Sequence, residues 1–224
     1  MRRHLTYQAA ALLGAAGILL SAYAILAIDA SRHQFLSLDR NVREWVQPMR
    51  SGGLDLSMET VSFLGEPAGL VPLILVASAL LWRASRPWAL LLPILMAGTG
   101  ALQLTGKWAA DRPRPNAAPW GFPSGHVLSL VVFFGVMAFL LVTLSERRRR
   151  VRFLACFSCG AVVGLVAVSR IYLDMHWLSD VIGGFALGTA YLLLAIGAAQ
   201  ALARRAAARP PVTLTEPIEV APPA

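Results

Sequence analysis

VLSLVVFFGVMAFLLVTL (residues 127–144) is an apolar run without a charged side chain, and SERRRR (residues 145–150) follows it directly. About 20 such residues are what an α-helix needs to cross a hydrocarbon core at roughly 1.5 Å per residue. Inside a bilayer the backbone must satisfy its own hydrogen bonds, which a helix does within a single segment. The arginines from Arg147 to Arg150 add direction, because basic residues at a span end stay on the cytoplasmic side.

Outward from this segment, similar runs occupy residues 9–28, 61–81, 88–104, 153–168 and 181–202. The sequence therefore predicts an all-α integral membrane bundle of six transmembrane helices, formed by residues 1–209. Composition agrees: of 224 residues 57% are hydrophobic and 14% charged, against about 25% charged in soluble domains. The first run follows Arg2 and Arg3 and contains Ala22-Tyr23-Ala24, which has the form of a cleavage site. Its length exceeds the roughly 7–15 apolar residues of a signal peptide, so a retained span is expected. Between the first two spans Phe35, Leu38, Val42, Trp45, Val46 and Met49 recur at helical spacing, predicting an interfacial amphipathic helix. Residues 210–224 are Pro-rich and poor in apolar side chains, which predicts a disordered tail.

The net charge of +8 comes from short basic clusters between apolar runs, with no nucleic-acid-binding motif, so no nucleic-acid partner is expected. Cys156 and Cys159 lie inside one apolar run and read as small hydrophobes. Gly160-x3-Gly164 and Gly184-x3-Gly188 read as close packing between spans of one chain. With the N-terminus inside, Arg2, Arg3, Arg83, Arg86, Arg147 to Arg150, Arg152, Arg204, Arg205 and Arg209 are cytoplasmic, twelve of the twenty basic residues. The expected protein is thus multi-pass in the cell inner (plasma) membrane, with both termini cytoplasmic. Residues 106–126 and 169–180 then face the periplasm or exterior.

Those two outer segments hold the unusual residues. Lys107 is the only lysine beside nineteen arginines, which suggests a site that wants a compact ammonium. Arg114 and Arg170 can grip phosphate oxygens in a bidentate manner. Arg112 reads equally as a lipid-headgroup contact or as part of the site. In Pro123-Ser124-Gly125-His126, Ser124 offers a hydroxyl, and Gly125 allows close backbone approach at a helix start, where amides favour an anion. His176 and Asp180 stand four apart and share a helical face. A carboxylate on one imidazole nitrogen frees the other for attack, although Asp180 also reads as a helix cap.

In chain order the segments are Lys107-x6-Arg114-Pro115, Pro123-Ser124-Gly125-His126 and Ser169-Arg170-x5-His176-x3-Asp180. This pattern resembles the three-part signature of the type 2 phosphatidic-acid phosphatases, whose superfamily also contains the vanadium haloperoxidases. The match is complete over the motifs, from Lys107 to Gly184. The Arg112-Pro113-Arg114-Pro115 run, Asp180-Val181-Ile182-Gly183-Gly184, the six spans and the surface helix look similar to the bacterial members too. The resemblance implies a membrane phosphatase acting on a lipid phosphate or pyrophosphate without a metal or other cofactor. It implies His176 as nucleophile, Asp180 as its orienting carboxylate and His126 as general acid and base. Lys107, Arg114, Ser124, Gly125 and Arg170 would bind the phosphate. An isoprenyl pyrophosphate such as the undecaprenyl carrier, phosphatidylglycerol phosphate, phosphatidic acid and lipid A phosphate all fit as substrates. The rival readings are a lipid phosphotransferase and, from another class, a transporter of anionic lipids, which would not need His176 and Asp180 paired. Oligomeric state is not legible.

Overall fold

The computed structural model describes residues 2–144 and 146–208, with side chains from Ala10 onward. Arg209 and the expected tail at 210–224 lie outside them. The described helices are α1 (Arg2–Ser31), α2 (Ser37–Val46), α3 (Gly52–Ser62), α4 (Pro67–Ala84), α5 (Arg86–Ala110), α6 (Gly125–Leu144), α7 (Arg149–Tyr172) and α8 (Leu178–Ala207). Six of these are long and apolar enough to cross a membrane, namely α1 from Ala10 and α4 to α8. The all-α, six-span architecture read from the sequence is the architecture found. Up-and-down succession puts α2, α3 and the α5–α6 and α7–α8 connections at one end of the bundle. The Arg147–Arg152 region lies at the other.

Two boundaries differ from the sequence reading. The second span starts at Pro67, because Glu66 is extended (φ −79°, ψ 154°), as sterics demand of a residue before proline. Residues 61 and 62 instead end α3, and Phe63–Gly65 form a 3-10 turn. The surface segment is also two helices, since α2 passes into a 3-10 turn at Gln47–Met49 with Pro48 near its start, and Arg50 is extended.

The inner pair is α6 and α8, of whose most apolar windows 44% and 50% are buried, against 6% for α1 and α4. Glycines set their separation. A Cβ at Gly184 would stand 2.7 Å from the Ser124 carbonyl oxygen, and one at Gly188 would stand 2.9 Å from that of Leu128. Only Gly at both positions allows this backbone approach, so the expected packing role holds there. At Gly160 and Gly164 a Cβ would meet nothing within 4 Å among the described residues, so no close helix approach requires glycine there, contrary to the sequence reading. Cys156 and Cys159 are free thiols, both half-buried.

Around the inner pair, Leu92, Leu95 and Met96 of α5 join Leu130, Val132 and Phe133 of α6 and Val166 of α7 in one apolar core. Outward-facing Leu13, Ile18, Leu75, Leu80 and Phe157 are each more than half exposed, as lipid-facing side chains are in a bundle without its bilayer. On α2 Leu38 and Trp45, followed by Met49 in the turn, are exposed together with Ser37, Arg40, Asn41 and Glu44, whereas Val42 and Val46 are half-buried. Its Asp39, Arg43 and the following Gln47 point back into the protein. The surface helix thus docks through a mixed face, Val42 and Val46 beside Asp39, Arg43 and Gln47, and leaves Leu38 and Trp45 outward.

Candidate active site

α5 carries Lys107 in its last turn and stops at Ala110, where Asp111 turns left-handed (φ 43°) and its amide donates to the Lys107 carbonyl at 2.9 Å. Pro113 and Pro115 prevent any continuation. The connection is ordered by its backbone: the Arg114 amide donates to Ala118 O at 2.8 Å, and the Gly121 amide donates to Arg112 O at 2.7 Å. The chain then enters α6 through Ser124, whose amide donates to Asp180 O at 3.0 Å. This bond ties the second motif to the third.

The third motif begins in the last turn of α7. Arg170 O accepts the amides of Met175 and His176 at 3.1 and 3.2 Å, and Asp174 turns left-handed (φ 58°). His176 is therefore held in a tight connection. Asp180, in the first turn of α8, accepts at Oδ2 from the Trp177 amide at 2.9 Å. Its Oδ2 also stands 3.5 Å from His176 Nδ1. That separation puts the carboxylate beside the ring nitrogen, while the geometry falls short of a hydrogen bond; such pairs often tighten only on the reacting complex. The carboxylate is both the helix cap and the histidine's partner, so the two sequence readings of Asp180 coexist.

Lys107, Arg114, Gly125, His126, Arg170 and His176 all line one cavity of about 760 Å³. The three motifs meet there, with Ser124 fully buried alongside. Arg114 Nε, Ser124 Oγ, His126 Nε2 and Arg170 Nε are buried and have no hydrogen-bond partner among the described residues. An unmet buried polar group costs about 1–3 kcal/mol, so this concentration of them marks a place shaped for a polar guest. Burial, the largest influence, pushes the Arg114 guanidinium below its ordinary range, partly countered by Asp180. His176 is pushed down to about 4, mainly by burial; Asp180 opposes the shift, and Arg170 and Arg114 add to it. Its imidazole is therefore neutral at physiological pH.

Below the cations the cavity continues between Leu70, Val71, Ile74 and Leu75 of α4 and Met96 and Ala97 of α5. Leu75 and Val71 are 65% and 49% exposed, so the cleft opens sideways toward the hydrocarbon region. Leu75, eight residues beyond Pro67, lies about 12 Å along α4.

Several residues around the site carry no sequence signal. Arg170 donates from Nη1 to Ser62 Oγ of α3 at 2.6 Å, and the buried Ser62 thereby aims the guanidinium. Arg112 is 1% exposed, so it is neither a headgroup contact nor a cavity residue. Its Nη1 donates to Ser179 Oγ at 2.6 Å and to Asp180 Oδ1 at 3.0 Å, and its Nη2 donates to Asp39 Oδ2 at 2.9 Å. Nearer the surface, Arg43 of α2 forks onto Asp174 at 2.7 and 2.8 Å, and Gln47 adds a bond at 3.2 Å.

The chain matches the family model described as the PAP2 superfamily over residues 88–204. It is 31% identical over 187 residues to phosphatidylglycerophosphatase B of Bacillus subtilis (strain 168), a span covering 78% of this chain and 90% of that protein. A shorter match, 31% over 78 residues, covers 34% of this chain and 19% of lipid phosphate phosphatase delta of Arabidopsis thaliana. Among solved structures the fold resembles a transmembrane PAP2 type phosphatidylglycerolphosphate phosphatase from Bacillus subtilis. The TM-score is 0.73 at 25% identity, covering 82% of this chain and 96% of that one.

Proposed function

This chain belongs to the PAP2 superfamily and is a multi-pass membrane lipid phosphatase; we propose that it hydrolyses a glycerophospholipid phosphate through a phosphohistidine at the outer membrane face. The observation that carries the mechanism is the convergence of Arg114 Nε, His126 Nε2 and Arg170 Nε, unpartnered among the described residues, on the cavity that His176 lines.

Because Asp180 stands at Nδ1 of His176, that nitrogen holds the proton and Nε2 carries the free lone pair. Nε2 attacks phosphorus and the bond from phosphorus to the lipid oxygen breaks. His126 gives a proton to that oxygen. Lys107, Arg114 and Arg170, with the Ser124 hydroxyl and the Gly125 amide, hold the equatorial oxygens while charge redistributes, which is most of what phosphoryl transfer asks of a protein. Water then attacks the phosphohistidine, His126 takes its proton, and inorganic phosphate leaves. The side-chain cations supply the charge stabilisation in this scheme, so it requires no metal.

The lipid's hydrocarbon lies in the cleft between α4 and α5, whose lining is apolar and whose side is open. The likeness to phosphatidylglycerophosphatase B over most of both chains supports a glycerophospholipid phosphate over an isoprenyl pyrophosphate. Outward orientation of the site is supported by the basic cluster at the opposite end of the bundle.

Purified protein in detergent, given phosphatidylglycerol phosphate, phosphatidic acid and an isoprenyl pyrophosphate in excess EDTA, should release inorganic phosphate fastest from a glycerophospholipid. Orthovanadate, which resembles five-coordinate phosphorus, should inhibit. Activity lost to the chelator and restored by Mg²⁺ refutes the metal-free scheme. Phosphate appearing on a second lipid instead of in solution makes the protein a transferase.

A further inference from the structure

Three charged side chains stand in series behind the nucleophile with almost no exposure: Asp39 at 1%, Arg112 at 1% and Asp180 at 0%. A buried ion pair gains little over well-packed apolar residues of the same volume, so stability alone does not account for such a chain of charges. We propose that Asp39, Arg112 and Ser179 form a positioning relay that fixes the Asp180 carboxylate behind His176, with Asp39 alone reaching it from the surface helix α2. This rests on His176 acting as the nucleophile.

Every oxygen of Asp39 is committed. Oδ1 accepts the Ser179 amide at 2.7 Å, and Oδ2 accepts the Ser179 hydroxyl at 2.8 Å and Arg112 Nη2 at 2.9 Å. The Ser179 hydroxyl in turn accepts Arg112 Nη1 at 2.6 Å, and that same Nη1 reaches Asp180 Oδ1 at 3.0 Å. The guanidinium lies 4.7 Å from the Phe35 ring centroid and 5.9 Å from that of Trp177, so packing fixes the plane of its fork. With Oδ1 held by Arg112, the remaining Oδ2 is turned to His176 Nδ1.

The relay also sets the charge that the histidine meets. Arg112 alone would neutralise Asp180. Asp39 returns the trio to a net single negative charge, facing an imidazole that becomes positive when Nε2 bonds to phosphorus with Nδ1 still protonated. In a site shielded from water that charge acts strongly on the reaction. α2 holds a second contact on the same connection, Arg43 with Asp174, which touches neither Asp180 nor His176. It separates mere docking of the helix from an effect through the carboxylate.

The test is a double-mutant cycle on full-length protein in detergent micelles, reading kcat for a glycerophospholipid phosphate and the single-turnover rate of phosphohistidine formation. Asp39→Asn should slow both by about 10- to 100-fold, with inhibition by inorganic phosphate unchanged within about threefold, because the cavity cations are untouched. In an Asp180→Asn background the same substitution should change kcat by less than about threefold, since its path runs through that carboxylate. Arg43→Gln should leave kcat within about threefold in both backgrounds. Ser179→Ala, a milder break in the relay, repeats the cycle should Asp39→Asn fail to fold. An equal loss in both backgrounds, or full kcat in a folded relay variant, overturns the proposal. The kcat cycle reads the coupling even where no phosphohistidine can be trapped, so failure of the nucleophile assignment stays distinguishable.

Discussion

Gly65 sits at the end of the 3-10 turn before α4, against the ring of His126. A Cβ there would stand 2.6 Å from His126 Cδ2 and 2.9 Å from its Cβ and Cγ. Ordinary carbon–carbon contacts are about 3.5–4.0 Å, so Gly65→Ala obliges the imidazole to retreat by roughly 1 Å. The backbone of Gly65 is not in the left-handed region, which leaves this contact as the substitution's main effect. A displacement of about 1 Å of a reacting group lowers rates by about 10², equivalent to about 2.7 kcal/mol at the transition state. His126 is proposed to protonate the leaving oxygen and later to activate water. A lipid alkoxide needs the proton, whereas p-nitrophenolate leaves without it. The expected result with p-nitrophenyl phosphate is a retained burst of nitrophenolate followed by slow turnover as phosphoenzyme accumulates. With the lipid substrate the burst itself should be lost. Rapid-mixing absorbance and quench experiments read both. Loss of the nitrophenolate burst, or wild-type turnover of the lipid, would refute this account of Gly65 and His126.

The two histidines should fail differently. His176→Ala is expected to abolish turnover and phosphoenzyme, while His126→Ala costs about 10² to 10⁴ in rate and still yields acid-labile, base-stable phosphate from an activated substrate. Label trapped on His176→Ala would place the nucleophile elsewhere. For topology, single cysteines near Arg148 and Ala118 in a variant lacking Cys156 and Cys159 can be probed in intact cells with an impermeant thiol reagent. Only the one near Ala118 should react, and the reverse pattern would put the chemistry in the cytoplasm. Burial lowers the protonation of His176 to about pH 4, so its ring stays neutral from neutral pH down to that point and loses its attacking lone pair only below it. Ring ¹⁵N shifts of His176, recorded in micelles of the His126→Asn variant, should move near pH 4, and a midpoint near 6.5 would contradict the buried, cation-flanked setting.

How far the sequence was legible follows from the range of each interaction. The spans and the three motifs are local patterns, readable because a helix repeats every 3.6 residues and because Lys107 to Arg114, Ser124 to His126 and Arg170 to Asp180 each form a compact group. Helix boundaries that hinge on one backbone preference were partly missed: residues 61–65 are apolar enough for a span, yet the extended conformation of Glu66 before Pro67 makes a new start. The two Gly-x3-Gly pairs look alike in sequence, but of the two only Gly184 and Gly188 hold another helix so close that a Cβ would not fit. Small residues permit close approach without specifying which surface will make it.

Asp39 and Ser62 mark a harder limit. Asp39 meets Ser179 and Arg112 across 140 and 73 positions, and Ser62 meets Arg170 across 108. Locally, Asp39 is one acid near the start of a short amphipathic helix, where it is favoured by the helix dipole wherever it points. What decides its direction is the surroundings of α2. Leu38 and Trp45 stay outward, where a bilayer surface would meet them, and Val42 and Val46 turn toward the protein together with Asp39, Arg43 and Gln47. Polar side chains turned inward must find partners there, because an unpaired buried charge is far more costly than a paired one. In this bundle the partners within reach are Arg112, Ser179 and Asp174, all in or beside the connections that carry the catalytic groups. The charges that α2 turns inward are thus the ones that meet Arg112 and Asp174, contacts that no local pattern in residues 37–47 announces.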